Sequence, residues 1–260
     1  MPLVIGVDSS TQSTKVEVRD LDSGELVSSG RAAHPSTGVA PVSETNPNDW
    51  ISAFNSALEQ AGSPKPAAIS VAGQQHGLVT LDAQNKVVRN AKLWNDTQSA
   101  ADAKWCVDQR GDAWWAEHVG SVPVASFTVA KLSWLKRVEP QNWAQVARIC
   151  LPHDFLSWHL RGGGSNEITT DRGDASGTGY WSPKLGKYDN EVLNLIDAKR
   201  DWSNALPRVA NPLEQTGTWQ NAVIGCGTGD NMAGALGIGL SPGDVAISLG
   251  TSGTVYAVSE

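Results

Sequence analysis

The sequence predicts an α/β fold, a mixed sheet with flanking helices, followed by the opening of a second, similar domain. Three observations carry this. The N-terminus alternates as strands do. A capped amphipathic helix then leads into a buried strand. Finally, the plan of the first hairpin returns over residues 245–258.

The elements follow in order. Leu3-Val4-Ile5-Gly6-Val7 is an apolar strand, Asp8 to Ser13 is a run of small polar residues, and Val16 to Asp20 alternates as a second strand. Leu21-Asp22-Ser23-Gly24 is turn chemistry, and Glu25 to Arg31 reads as a third strand, so the start is an antiparallel meander. Asn46-Pro47 caps a helix whose Trp50, Phe54 and Leu58 repeat every four residues. Ala67 to Gly73 is a buried strand, and Ala91 to Leu93 a short one. Residues 97–160 read as mainly helical, with Leu132, Leu135 and Val138 on one face. Residues 161–220 are rich in Gly, Ser, Asp and Pro and show no period. The strand ending Val223-Ile224-Gly225 leads through Cys226-Gly227-Thr228-Gly229 to Asp230, and a helix of small residues follows over Asn231 to Leu236.

Val245 to Leu249, the turn Gly250-Thr251-Ser252-Gly253 and Thr254 to Val258 repeat the strand, polar turn, strand plan of the N-terminus. A repeat separated by most of the chain implies two pseudo-equivalent domains. We place the first at residues 1–243 and the start of the second at 244–260, so the sequence reads as truncated before most of that second domain.

Composition narrows the function. A net charge of −7 without a basic stripe argues against a nucleic-acid partner. The three cysteines are widely spaced with no CxxC, which suits neither a disulfide framework nor a zinc site and fits a reducing cytoplasm. No apolar run reaches membrane-spanning length, and Asp8 interrupts the first one, so neither a membrane partner nor a signal peptide is expected. Of the eleven tryptophans, most belong in the core or on helix faces. His34, His118, His153 and His159 show no metal-ligand spacing, Asp154 suits a helix start, and Trp114-Trp115 suits packing.

Four segments can carry chemistry. The Ser- and Thr-rich hairpin from Asp8 to Lys15 offers backbone N–H groups and hydroxyls to phosphate oxygens, and Asp8 can hold Mg²⁺ directly or through water. It lacks the G-K-[ST] element of a P-loop, and the same residues also suit a plain turn. Paired with Gly250 to Gly253, it would form one side of a phosphate clamp. Asp230, in its glycine-rich setting, can orient an alcohol and take its proton during phosphoryl transfer, or can be a helix N-cap. Gly73-Gln74-Gln75-His76-Gly77 suits a small polyol, or a turn with a surface histidine. Trp94-Asn95-Asp96 suits stacking on a sugar, or a core indole followed by a helix cap.

Taken together, these segments resemble the FGGY family of carbohydrate kinases and, within it, the xylulokinase branch. Asp8-Ser9-Ser10-Thr11-Gln12-Ser13-Thr14-Lys15 is similar to the family's first phosphate hairpin. Ala72 to Gly77 and Leu93 to Asp96 resemble its sugar segments. Phe127 to Leu132 and Leu151 to Asp154 resemble landmarks between them. Gly229 to Ala235 resembles the catalytic segment, and Ser248 to Gly253 the second phosphate hairpin. The resemblance implies an RNase H-like, actin-like ATPase fold with two domains about a cleft. It implies transfer of the ATP γ-phosphoryl group to the 5-hydroxyl of D-xylulose with Mg²⁺, as part of xylose metabolism.

In that reading Asp230 is the general base, and Gln75, His76, Trp94 and Asn231 bind the sugar. Asp8, Ser10, Thr11, Gln12, Ser13, Lys15, Gly250, Thr251 and Ser252 serve ATP, with Asp8 also at the metal. Two positions depart from the family pattern: Ser10 stands where Gly is usual, and Gln75 where Met is usual. A fragment of this length is expected to fold and bind sugar but to turn over poorly. A kinase for ribulose, gluconate or glycerol, and a non-catalytic actin-like sugar-binding module, are the competing readings. The sequence does not determine oligomeric state, a homodimer being one option.

Overall fold

The computed structural model describes residues 2–249 and 253–258. The meander forms as expected: β1 (Leu3–Ser9), β2 (Ser13–Asp20) and β3 (Leu26–Ala33) pair antiparallel in sequence. The third strand begins one residue later and ends two later than the Glu25–Arg31 expectation. Helix α1 (Pro47–Gln60) follows, with Asn46 accepting from the Asn48 N–H and Pro47 in the first turn. Strand β4 (Ala68–Gly73) then lies parallel to β1, which makes the sheet mixed.

The chain returns to this sheet much later. Strands β5 (Gln215–Trp219) and β6 (Ala222–Gly225) form a hairpin whose second strand runs parallel to β4. The two-residue β7 (Thr228–Gly229) resumes pairing farther along the same strand, at Ala72 and Gly73. The sheet order is β5-β6-β4-β1-β2-β3, with β7 also on β4.

The pleat sorts side chains to two faces. Ile5, Val7, Val16, Val18, Ile69, Val71 and Ile224 point to a core shared with Phe54 and Ala57 of α1 and with Leu156 and Leu160. Alternate positions, among them Asp8, Lys15, Glu17, Ser70 and Ala72, line the opposite, open face. Strand alternation therefore supplies both a core and a working surface from the same residues.

The middle of the chain is helical, as expected: α2 (Ala100–Arg110), α3 (Asp112–Val119), α4 (Thr128–Val138), α5 (Pro140–Gln145) and α6 (Pro152–Leu160). Helices α2 to α5 build a second core that includes Cys106, Trp115, Leu132, Leu135 and Trp143. Val138 is not on the buried face. It is 45% exposed, at the last residue of α4. Within the segment that had no period, α7 (Arg172–Ser176) is capped by Asp171, which accepts from the Gly173 and Asp174 N–H groups. The remaining helices include α8 (Asn190–Asp197) and α9 (Trp202–Ala205). Helix α10 (Asp230–Gly237) starts one residue before its expected place and ends one later.

The second hairpin, β8 (Val245–Leu249) with β9 (Gly253–Ala257), forms a separate two-stranded sheet. The strand near the end of the chain thus has a partner. Gly250, Thr251 and Ser252, assigned to the phosphate clamp, lie outside the described residues. Among the described residues no helix is long and apolar enough to cross a membrane.

Candidate functional site

Three chain segments meet at the C-terminal end of β4. In the ladder, Asp8 lies opposite Ala72 and Ser9 opposite Gly73 on one side, while Gly229 lies opposite Gly73 on the other. Asp230 is the next residue. The register thus carries Asp8 and Asp230, more than two hundred residues apart in sequence, to flanking positions around one strand end. Both line a cavity of about 840 Å³ on the open face of the sheet, together with Lys15, Ser70, Thr228 and Met232.

Asp230 is not a helix N-cap. Gly229 occupies that position without a side-chain cap, and Asp230 is the first helical residue. Its carboxylate accepts from the Asn231 N–H (2.8 Å). Burial, above all, pushes its carboxyl up to about 6; the charges of Asp8 and Asp174 add to this, and the Asn231 hydrogen bond opposes it. The group is therefore ionised near neutrality yet readily takes a proton.

The Gln75-His76 loop packs against the residues on either side of Asp230. Asn231 Nδ2 donates to Gln75 Oε1 (2.9 Å), so α10 and the Gln75-His76 loop are joined side chain to side chain. A Cβ at Gly229 would come within 2.6–2.9 Å of the Gln75 side chain, so glycine is what lets the loop approach. Gln75 is buried, and the amide found where the family has methionine is thus used within the protein. His76 is half-buried, with a left-handed backbone (φ 64°), and its ring stacks on Phe127 with centroids 5.1 Å apart. It is not a surface histidine on a plain turn.

Trp94 is 37% exposed and is no core residue. Its indole Nε1 donates to Thr11 Oγ1 (2.8 Å), tying the Trp94-Asn95-Asp96 segment to the first hairpin. Asp96 is not the N-cap of α2, a place Ser99 takes, although it accepts from the Gln98 N–H (3.1 Å) in the turn before that helix; it is buried and also accepts from the Ser43 N–H (2.9 Å) and from Lys92 Nζ (3.1 Å). In the hairpin itself, Ser10 Oγ donates to Asp8 Oδ1 and Gln12 is exposed. Ser13 is buried and accepts from Arg31 Nε (2.9 Å), and Lys15 is paired with Glu17. Ser13 therefore spends its hydroxyl on the sheet, whereas Asp8 and Lys15 face the cavity.

Two features escaped sequence reasoning. His153 was set aside for lack of spacing, yet the fold surrounds it with carboxylates. His153 Nδ1 donates to Asp174 Oδ2 (2.7 Å), while Nε2 lies 3.3 Å from Asp154 Oδ1 and 3.8 Å from Asp171 Oδ1. Burial alone would lower its pKa, but Asp154, Asp174 and Asp171 outweigh that and hold it up at about 9. Asp154 does start its helix as expected, accepting from the Leu151 N–H (2.8 Å). Asp171 in turn accepts from Thr228 Oγ1 (2.8 Å), and a Cβ at Gly227 would come within 2.9 Å of the His153 ring. The loop carrying Asp230 thus rests on this charged group. The second feature is Lys131, fully buried beneath the Gln75-His76 loop, with Nζ donating to the His76 carbonyl (3.1 Å). A cation in register with Leu135, one turn along an apolar helix face, was the signal available.

The model of the FGGY family of carbohydrate kinases, N-terminal domain, matches residues 3–237. A xylulose kinase of Streptomyces rubiginosus is 47% identical over all of this chain and 55% of its own length. One of Streptomyces coelicolor is 48% identical over the same shares. The crystal structure of xylulose kinase from Bifidobacterium adolescentis superposes with a TM-score of 0.92 at 39% identity, covering all of this chain and 59% of that one. Plasmodium falciparum glycerol kinase with ADP shares the fold at 18% identity, with a TM-score of 0.89. The chain spans 55% of the length of the two curated relatives.

Proposed function

The chain belongs to the FGGY family of carbohydrate kinases, and from that premise we propose that it carries the sugar site and catalytic base of an ATP-dependent D-xylulose 5-kinase. The observation that supports this most is the meeting of Asp230 with Asp8 and the Gln75-His76 loop at one strand end, with Asp8 and Asp230 both on the cavity wall. The substrate assignment leans on the xylulose kinases it resembles.

Phosphoryl transfer asks little covalent chemistry of a protein. Asp230 would accept the proton of the attacking hydroxyl as its oxygen bonds to phosphorus. A carboxyl at about 6 suits that task, since it is mostly ionised at neutral pH and still basic enough to receive a proton. His76, Asn231 and Trp94 would hold the other hydroxyls and a sugar face. Asp8, Ser10, Thr11, Gln12 and Lys15 would meet the ATP phosphates, opposite Gly250, Thr251 and Ser252.

The residues present suit Mg²⁺. Asp8 offers a hard carboxylate at the cavity wall, and its charge already repels that of Asp230, a repulsion that a divalent cation relieves. Bound there, Mg²⁺ would neutralise charge on the transferring phosphate.

The test has two parts. Calorimetry on this chain with D-xylulose, D-ribulose, gluconate and glycerol should show a preference for D-xylulose. In a protein that also carries the C-terminal portion found in the relatives, D-xylulose should be phosphorylated with ATP and Mg²⁺. A clear preference for another polyol would replace the substrate. Asp230→Asn with undiminished turnover would remove the mechanism.

A further inference from the structure

We propose that Lys131 is a positioning residue for sugar recognition: with the Gly177 carbonyl, it holds His76 as a neutral imidazole protonated on Nδ1, leaving Nε2 as a fixed acceptor for a substrate hydroxyl. The inference rests on reading His76 as a sugar contact and adds the state in which it acts.

The first step is a matter of donors. His76 Nδ1 lies 2.7 Å from the Gly177 carbonyl oxygen. A carbonyl can only accept, so the proton is on Nδ1. If the ring is neutral, Nε2 then carries a lone pair and can only accept. A ring in this state reads a hydroxyl as a donor, and a wrongly placed hydroxyl or methylene leaves Nε2 unsatisfied.

The second step is what keeps the ring neutral and still. Burial is the main cause that lowers the pKa of His76 below its ordinary 6.5; the Gly177 hydrogen bond opposes it, Lys131 lowers it further and Asp174 raises it. Lys131 and Asp174 are the charged groups facing the ring, from α4 and α7 respectively. Lys131 sits directly under the residue. Its Nζ donates to the His76 carbonyl and also to the Ser126 carbonyl, and Thr128 Oγ1 donates to the same His76 oxygen (3.3 Å). Desolvation brings Lys131 itself down to about 7, so it is mostly cationic below that pH, where His76 would take up a proton.

The third step is steric. The left-handed backbone of His76 is a conformation that a histidine seldom keeps unaided. Here the carbonyl is pinned from below by Lys131 and Thr128, one ring face is covered by Phe127 and one ring nitrogen is held by Gly177. A Cβ at Gly177 would come within 2.6–2.8 Å of the ring, which shows how closely that wall is fitted. Nε2 has no hydrogen-bond partner among the described residues, so it is the ring nitrogen left for a ligand.

The experiment uses this chain labelled with ring-¹⁵N histidine, the His76 signals being assigned by His76→Gln. At pH 7, wild type should show a proton on Nδ1 and an unprotonated Nε2 whose resonance moves when D-xylulose is added. Lys131→Met should raise the titration midpoint of His76 toward 6.5 and weaken D-xylulose binding by about tenfold, the scale of one charged hydrogen bond. Should that variant fail to fold, Lys131→Gln keeps a donor to the carbonyl while removing the charge, and the same rise in midpoint is expected. A purely structural lysine would not move the midpoint. A proton on Nε2, an imidazolium at pH 7, or a midpoint unchanged in these variants overturns the inference even if sugar binds normally. Correct protonation in a chain that binds none of the sugars would instead overturn the sugar reading on which the recognition half depends.

Discussion

Two groups of carboxylates in this molecule have the same ingredients and opposite circumstances. Asp230 stands half-buried at a cavity wall with its carboxyl raised to about 6. Asp154 and Asp174 lie wholly buried around His153, with Asp154 raised to about 7. In each case burial is the main cause of the shift. A raised carboxyl therefore does not by itself mark a catalytic group. What separates the two is access and counter-charge. Asp230 opens onto the cavity and faces the like charge of Asp8. The inner pair surrounds a cationic ring, and that ring together with Asp171 supports the loop from Gly227 to Asp230. We read the outer group as chemistry and the inner one as foundation.

The largest expected effect tests the outer group. Asp230→Asn, in a protein that includes the relatives' C-terminal portion, should lower kcat by about 10²–10⁴-fold. In this chain the same change should leave the urea midpoint unchanged or slightly higher, because a disfavoured buried charge becomes a neutral isostere. A fall in stability comparable to that of a core variant would erase the distinction. The inner group should behave the other way. His153→Ala leaves carboxylates buried without their cation and should cost about 3–5 kcal/mol in urea unfolding. An unchanged midpoint would show that the cluster supports nothing.

A smaller effect sharpens the comparison through pH. The folded-state pKa of His153 is about 9 against an ordinary 6.5, so its contribution to stability is full below about 6.5 and is lost as pH rises through 9. Asp154 acts in the same direction lower down, because its carboxyl is about 7 when folded against 3.8, so the folded state holds the extra proton between those values. Urea midpoints should therefore decline from pH 5 to 9.5, and His153→Gln should flatten the upper part of that decline. The mildest effect belongs to Asp230, whose titration should give turnover an acid limb centred near 6, with activity falling as pH drops through it. A flat profile from pH 5 to 7 would mean that its ionisation does not limit the reaction.

Much of the scaffold was legible because it is local. The alternation Ile5-x-Val7 and Val16-x-Val18 gave the first hairpin, and Asn46-Pro47 with Trp50, Phe54 and Leu58 gave α1 and its cap. Asp230 was legible through its glycines, since Gly229 leaves room for Gln75 and Gly227 adopts φ 73° against the His153 ring. Lys131 stood inside a quoted motif and was passed over. Its role depends on a carbonyl 55 residues away, and no spacing rule connects the two. The carboxylates around His153 were missed for the same reason. Two of them come from residues 171–174, where no hydrophobic period directed attention.

By itself the sequence determined which strands and helices form, and which faces are apolar, because propensity, alternation and caps act over a few residues. It also marked the order of the polar segments along the chain. Their convergence was decided only in three dimensions. The parallel pairing of β1, β6 and β7 with β4 places Asp8, Gln75 and Asp230 at one strand end. Register is a property of the whole sheet, since it follows from how α1 and α6 bury the opposite face. The protonation states that give the site its chemistry depend on that burial, so they too belong to the tertiary structure.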